Sequence, residues 1–266
     1  MNLSAFDLTG KVVLVTGGAH GIGFAIASGM AQCGATVCFN CSSEGSLQRG
    51  LKAYAEAGID AHGYVADVTD EVAVQTMIHS IKKDVGSVDV LVNNAGIILR
   101  KPMLETAAEE FRRVVDVDLT ACFIVAKAVL PDMIEKRAGK IINICSMTSE
   151  QGRETVSSYA AAKGGLKMLT RNIASEYGHY NIQCNGMGPG YIATSQTAPL
   201  RETQPDGSRH PFDSFILAKT PAGRWGETED MVGPCVFLAS SASDFVNGHI
   251  LYVDGGMQAY LGRQPQ

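Results

Sequence analysis

The chain has 266 residues with 45% hydrophobic and 18% charged side chains, which excludes a disordered or coiled-coil polypeptide and predicts one domain spanning residues 1–266. Its 22 basic and 27 acidic residues give a formal charge of −5 with no Lys/Arg run, so neither nucleic acid nor a membrane surface is an expected partner. Seven scattered cysteines suit free thiols in a reducing cytoplasm, and the sequence shows neither an apolar run of transmembrane length nor a secretion-signal layout at its start.

The first predicted strand, residues 11–15, runs into Thr16-Gly17-Gly18-Ala19-His20-Gly21-Ile22-Gly23 and then an apolar helix through Phe24, Ile26 and Met30. Gly17, Gly21 and Gly23 allow a tight turn and close approach to a pyrophosphate, which the helix N-terminus (His20, Ile22) meets with unpaired N–H groups and a partial positive charge. A second strand, 36–40, leads to Cys41-Ser42-Ser43, where a dinucleotide fold selective for NAD(H) usually has a carboxylate. Without one, nothing repels a 2′-phosphate. Ser42, Ser43 and His20 are available to bond it, so NADP(H) is favoured and NAD(H) stays possible. Cys38 and Cys41 imitate a redox or metal pair, but residues three apart on a strand face opposite sides, and packing explains them better.

A third strand, 61–65, precedes Asp67-Val68, where the carboxylate either bonds an adenine amine or serves the turn at Thr69. Thr69 and Asp70 start a helix carrying Val74, Ile78, Ile81 and Val85 at helical spacing. The fourth strand, 88–92, closes on Asn93-Asn94-Ala95-Gly96, whose small residues admit a cofactor closely. The fifth, 140–144, ends near Ser146, and a helix with Leu166, Leu169 and Ile173 carries Tyr159 and Lys163 on one face at i,i+4. The sixth, 182–187, precedes Pro189-Gly190. Residues 194–226 are rich in Pro and Gly and read as a substrate lid or, less usefully, a mobile insertion. The seventh strand is 250–253. Strand–helix alternation throughout predicts an α/β, Rossmann-type, doubly wound seven-stranded parallel sheet with helices on both faces.

Ser146, Tyr159 and Lys163 fit carbonyl reduction: Ser146 orients the oxygen and Tyr159 moves its proton. A free phenol titrates near pH ~10, so work near neutrality needs a shift worth roughly 4 kcal/mol, for which Lys163 and an oxidised nicotinamide are the available cations.

Taken together, the glycine turn, Asn93–Gly96, Ser146, the Tyr159/Lys163 pair, Pro189-Gly190 and Val253-Asp254-Gly255-Gly256 resemble the short-chain dehydrogenase/reductase family over essentially the whole chain. Ile142-Asn143-Ile144-Cys145-Ser146-Met147, Gly152-Arg153, Thr220-Pro221-Ala222-Gly223-Arg224-Trp225-Gly226 and Ser243-Asp244-Phe245-Val246-Asn247-Gly248-His249 are similar to members that interconvert gluconate and 5-ketogluconate. The resemblance implies NAD(P)-linked exchange between a secondary alcohol and a ketone, Lys163 on the nicotinamide ribose, nicotinamide contacts at Ile192 and Thr194, and a homotetramer. It also implies two departures. An Asn of a Lys-to-solvent relay is replaced by Asp118, read as a half-buried carboxylate that steadies Lys163 and blunts its effect on Tyr159. Cys41 stands where related proteins often carry Asp.

A sugar-acid substrate needs a cation for its carboxylate, and Arg100 and Arg153 are placed for it, with Glu150 and Gln151 as hydroxyl partners. Arg100 and Lys101 read equally well as ordinary solvated charges. Two other readings remain open: a reductase of 3-oxoacyl thioesters, disfavoured by a lid made polar by Arg201, Glu202, Asp206, Arg209 and His210, and a dinucleotide-binding module without turnover.

Overall fold

The computed structural model describes residues 3–262, in which seven parallel strands form one sheet in the order β3-β2-β1-β4-β5-β6-β7. The strands are β1 Val12–Thr16, β2 Thr36–Cys41, β3 Ala61–Val65, β4 Val90–Asn93, β5 Gly139–Ile144, β6 Ile182–Pro189 and β7 Ile250–Val253. The helices are α1 Gly21–Gln32, α2 Glu44–Glu56, α3 Glu71–Asp84, α4 Ala108–Val115, α5 Ala121–Lys136, α6 Ser157–Tyr177, α7 Pro211–Lys219 and α8 Val232–Ala239. The predicted architecture is therefore the observed one.

Alternate side chains explain why the central strands β1 and β4 are apolar along their length. Val13, Val15, Val37, Phe39, Val92 and Ile142 pack on one face with α1 and α8, while Leu14, Cys38, Leu91, Ile141 and Cys184 pack on the other with α3, α5 and α6. Cys38 and Cys41 fall in different cores, as the strand period requires, and all seven cysteines are free thiols. β4 begins two residues later than the sequence suggests, because the Asp89 carboxylate accepts from the Val12 amide at 2.9 Å and takes the place of a ladder bond. Asp70, not Thr69, caps α3, accepting from the Val72 and Ala73 amides.

Between α4 and α5 the chain does not break. Asp116–Thr120 makes a π-helical turn with right-handed helical dihedrals on both flanks, so residues 108–136 form one rod with a widened turn inside it.

The long connection after β6 is pinned at its root. Ile192 and Gly226 bridge, with the Gly226 amide donating to Tyr191 O at 2.9 Å and the Ala193 amide to Gly226 O at 2.7 Å. Its underside is apolar, a correction to the polar segment expected from the sequence: Ile216 and Trp225 pack on Met147 and Met257 with Tyr191, Leu200 and Phe212 around them. The charged residues serve the segment itself. Arg201 lies over the Trp225 ring at 5.5 Å, Arg209 pairs with Asp213 at 2.9 Å, Asp206 accepts from Ser208, and His210 Nδ1 caps α7. Among the described residues no helix is long and apolar enough to cross a membrane, and no cluster of ligating side chains could hold a metal ion.

Candidate active site

A cleft of about 780 Å³ follows the carboxyl edge of the sheet, across the ends of β1 and β4 where the strand order reverses. That is where an open α/β sheet binds ligands. Gly17, His20, Gly21, Ile22, Gly23, Ser42, Asp67, Val68, Asn94, Pro189, Gly190, Ile192 and Thr194 line it, and so do Arg100, Asp118, Ser146, Arg153, Tyr159 and Lys163.

The glycine turn is built for close contact. Gly17 and Gly21 have φ of +62° and +59°, and a Cβ on Gly23 would sit 2.4 Å from Asn94 Nδ2. Asn94 Nδ2 donates to the carbonyls of Thr16 and Gly17 at 2.9 and 3.1 Å, locking β4 to the turn. His20 gives α1 no side-chain cap, so the first amides of the helix open into the cleft. This uncapped helix start, beside a cradle that a side chain would fill, fits a dinucleotide pyrophosphate.

Further along, Ser42 lines the cleft but Ser43 does not; its hydroxyl accepts from the Ser46 amide and caps α2. Ser46, unmarked by sequence reasoning, lines the cleft instead, and Arg49 donates to its hydroxyl at 2.9 Å. Arg49 itself is not among the residues that line the cleft. The Asp67 carboxylate accepts from Thr69 N and Oγ1 at 2.9 and 2.7 Å, which makes the turn its structural task.

At the other end, Ser146 caps a short turn after β5 and accepts from Thr148 N at 3.1 Å and Thr148 Oγ1 at 2.9 Å. With both lone pairs used, its own O–H remains as a donor, within reach of the Tyr159 phenol. Ser149 Oγ donates to Lys163 O at 2.9 Å, tying that turn to α6. Lys163 is buried, donates to Ile144 O at 3.0 Å, pairs with Asp118 Oδ2 at 3.3 Å and lies 5.5 Å from the centre of the Tyr159 ring.

One expectation changes here. Asp118 is wholly buried rather than half-buried, because the π turn rotates it inward; Oδ1 accepts from the Ile97 amide at 2.8 Å, and Oδ2 faces Gly96, where a Cβ would come within 3.0 Å. Tyr159 is not acidic in this chain alone. Burial raises its pKa, the Asp118 charge adds to that, and Lys163 with a hydrogen bond from Ser146 only offsets them. The Lys163 ammonium is held above its ordinary range despite burial, chiefly by Asp118, while burial lifts the Asp118 carboxyl against the pull of Lys163.

Arg100 and Arg153 are brought together because the Lys101 amide donates to Thr155 O at 2.8 Å. Burial and the Arg153 charge both depress Arg100. Among the described residues neither guanidinium has a carboxylate partner within ion-pair distance; Arg153 donates to Tyr191 Oη at 3.4 Å and rests 5.3 Å from the Phe212 ring. Glu150 is not a hydroxyl partner, since Lys167 and Tyr252 occupy it at 2.6 and 2.8 Å, and neither it nor Gln151 lines the cleft. Arg113 and Thr148, unmarked in the sequence, do line it.

A glycine turn at a parallel sheet's switch point, with Ser, Tyr and Lys at the same edge, defines a nicotinamide-dinucleotide oxidoreductase. A family model described as Enoyl-(Acyl carrier protein) reductase matches residues 17–258. A 2-dehydro-3-deoxy-D-gluconate 5-dehydrogenase of Formosa agariphila is 52% identical over 264 residues, 99% of this chain and 98% of its own. The crystal structure of a 2-keto-3-deoxy-D-gluconate dehydrogenase from Streptococcus agalactiae is 66% identical, with a TM-score of 0.84 and 97% of both chains covered. That of a gluconate 5-dehydrogenase from Burkholderia cenocepacia in complex with NADP and tartrate is 39% identical with a TM-score of 0.90, covering 97% of this chain and 99% of that one. The chain belongs to the short-chain dehydrogenase/reductase family, and it is an NAD(P)-dependent oxidoreductase.

Proposed function

We propose that the chain interconverts a secondary alcohol and a ketone on a six-carbon sugar acid of the gluconate class, including its 2-keto-3-deoxy form. The observation that carries this reading is the Arg100/Arg153 pair, two neighbouring cations without an acidic partner among the described residues, at the mouth of the cleft that holds Tyr159. Such a pair is costly without an anion and matches a substrate carboxylate. The relatives named for gluconate and its 2-keto-3-deoxy derivative support it.

The bound nicotinamide dinucleotide supplies hydride exchange and, when oxidised, a positive charge. Gly17, Gly21, Ile22 and Gly23 hold its pyrophosphate; Ser42 and Ser46, with Arg49 behind, favour NADP(H); Asn94, Pro189, Gly190, Ile192 and Thr194 frame the nicotinamide half. Asp67 and Val68 border the adenine. The Ser146 O–H steadies the substrate oxygen while the Tyr159 phenol gives a proton to it in reduction or takes one in oxidation. Lys163 has three N–H donors; Ile144 O and Asp118 take two, leaving one for the nicotinamide ribose. Residues 194–226 close over the substrate within a single domain, and a cytoplasmic homotetramer completes the reading, on the strength of the family likeness and the free thiols.

Steady-state kinetics test it. Arg153→Ala and Arg100→Ala should each raise KM for a keto-sugar acid about tenfold or more, as for loss of a charged hydrogen bond, and leave KM for a neutral ketose near its original value. Equal effects on both substrates, or faster turnover of a 3-oxoacyl thioester, would overturn the sugar-acid assignment. NADPH bound and never consumed would favour a module without turnover.

A further inference from the structure

Lys163 lies between two groups of opposite consequence. On one side is the phenol of Tyr159; on the other is Asp118, a carboxylate with no solvent exposure whose Oδ2, among the described residues, has no hydrogen-bond partner apart from the 3.3 Å ion pair with Lys163. An unsatisfied buried carboxylate oxygen is expensive, and a π turn plus a glycine at position 96 are arranged to seat it there. We infer that Asp118 is a positioning residue that neutralises Lys163 toward Tyr159, so that Tyr159 stays protonated at neutral pH and the enzyme is set for ketone reduction there, with alcohol oxidation confined to alkaline pH. The inference rests on the acid–base role proposed for Tyr159.

The groups facing Asp118 leave it little other purpose. Lys163 and Tyr159 approach from α6, Cys122 from α5 and Cys145 from the end of β5; the two thiols are buried, and burial pushes each up, to about 12 and about 11, so they are neutral at working pH. Arg113 of α4 and Arg100 beyond β4 line the cleft farther out. Among the described residues, Lys163 is therefore the one permanent charge in contact with the carboxylate. With the pair intact, the phenolate is faced by a cation already answered by an anion. With the anion gone, the same cation acts on the phenolate in full. The overall equilibrium between alcohol and ketone is untouched; what moves is the pH range in which each direction runs.

The test is an ultraviolet titration of phenolate in the purified free enzyme, with the Tyr159→Phe protein subtracted to isolate one residue. Wild-type Tyr159 should titrate at or above the ordinary phenol value near ~10. In Asp118→Asn, and likewise in the smaller uncharged Asp118→Ser, it should titrate about one pH unit lower or more. The rising limb of kcat/KM for oxidation should move by the same amount, a gain of about tenfold at neutral pH, while the falling limb for reduction moves down with it. An unmoved or raised titration in a folded variant overturns the inference. Should neither variant fold, a wild-type phenolate at neutral pH does so. Undiminished turnover by Tyr159→Phe would instead bring down the acid–base role, and with it the proposed function, while leaving the titration of Tyr159 as measured.

Discussion

Cys41 sits at the end of β2, its thiol 3.4 Å from Ser43 O and at the edge of the cleft that Ser42 and Ser46 continue. A carboxylate in its place would accept from ribose hydroxyls and repel a 2′-phosphate. Cys41→Asp is therefore expected to lower the ratio of kcat/KM for NADPH over NADH by about tenfold or more; an unchanged ratio, measured with both cofactors, would remove Cys41 from the selectivity argument. The missing carboxylate was legible in the letters of the sequence. Which serine faces the cleft was not, because a helix cap divides their tasks: the Ser43 hydroxyl accepts the Ser46 amide, while the Ser46 hydroxyl, met by Arg49, lines the cleft. The same holds for Glu150, whose partners Lys167 and Tyr252 are 17 and 102 residues away.

The segment after β6 behaves as an element with its own small core. Asp213 joins its parts, accepting from Trp225 Nε1 at 2.7 Å and from Arg209 at 2.9 Å. Burial pushes this carboxyl up, yet the two hydrogen bonds and the nearby guanidinium charges hold it below its ordinary value. A depressed pKa contributes stability above the ordinary carboxylate value, lost as pH falls through the lower folded value. Acidification below about pH 4 should therefore loosen α7 first, seen as a change in emission from Trp225, the chain's sole tryptophan. Asp213→Ala should reproduce that change at neutral pH, lower Tm by about 5 °C and raise substrate KM; an unaltered spectrum would show that the carboxylate does not hold the segment. Pro and Gly marked this connection in the sequence, but an irregular segment has no period to say which side faces inward. Its charged letters therefore pointed the wrong way.

The sheet was readable because its central strands, β1 and β4 above all, are buried on both faces and so carry short apolar runs bounded by turn residues. Its strand order follows from right-handed crossovers, and the position of the cleft follows from that order. Assembly belongs to this scale: light scattering should give about four times the 28.2 kDa chain mass, and a monomer at working concentration would end the tetramer proposal. Invisible in the sequence was the widened turn of the rod from 108 to 136. It places Asp118 at the chemistry while α5, beyond it, presents Ala121, Val125, Val129 and Met133 to the sheet. An α-helix advances 100° per residue, so one residue fewer in that turn would set the two halves of the rod out of phase. Either the carboxylate or the packing stripe would then point elsewhere. The irregularity is a phase corrector: it couples the acidity of a phenol to the seating of a helix, and the chain cannot shed one without disturbing the other.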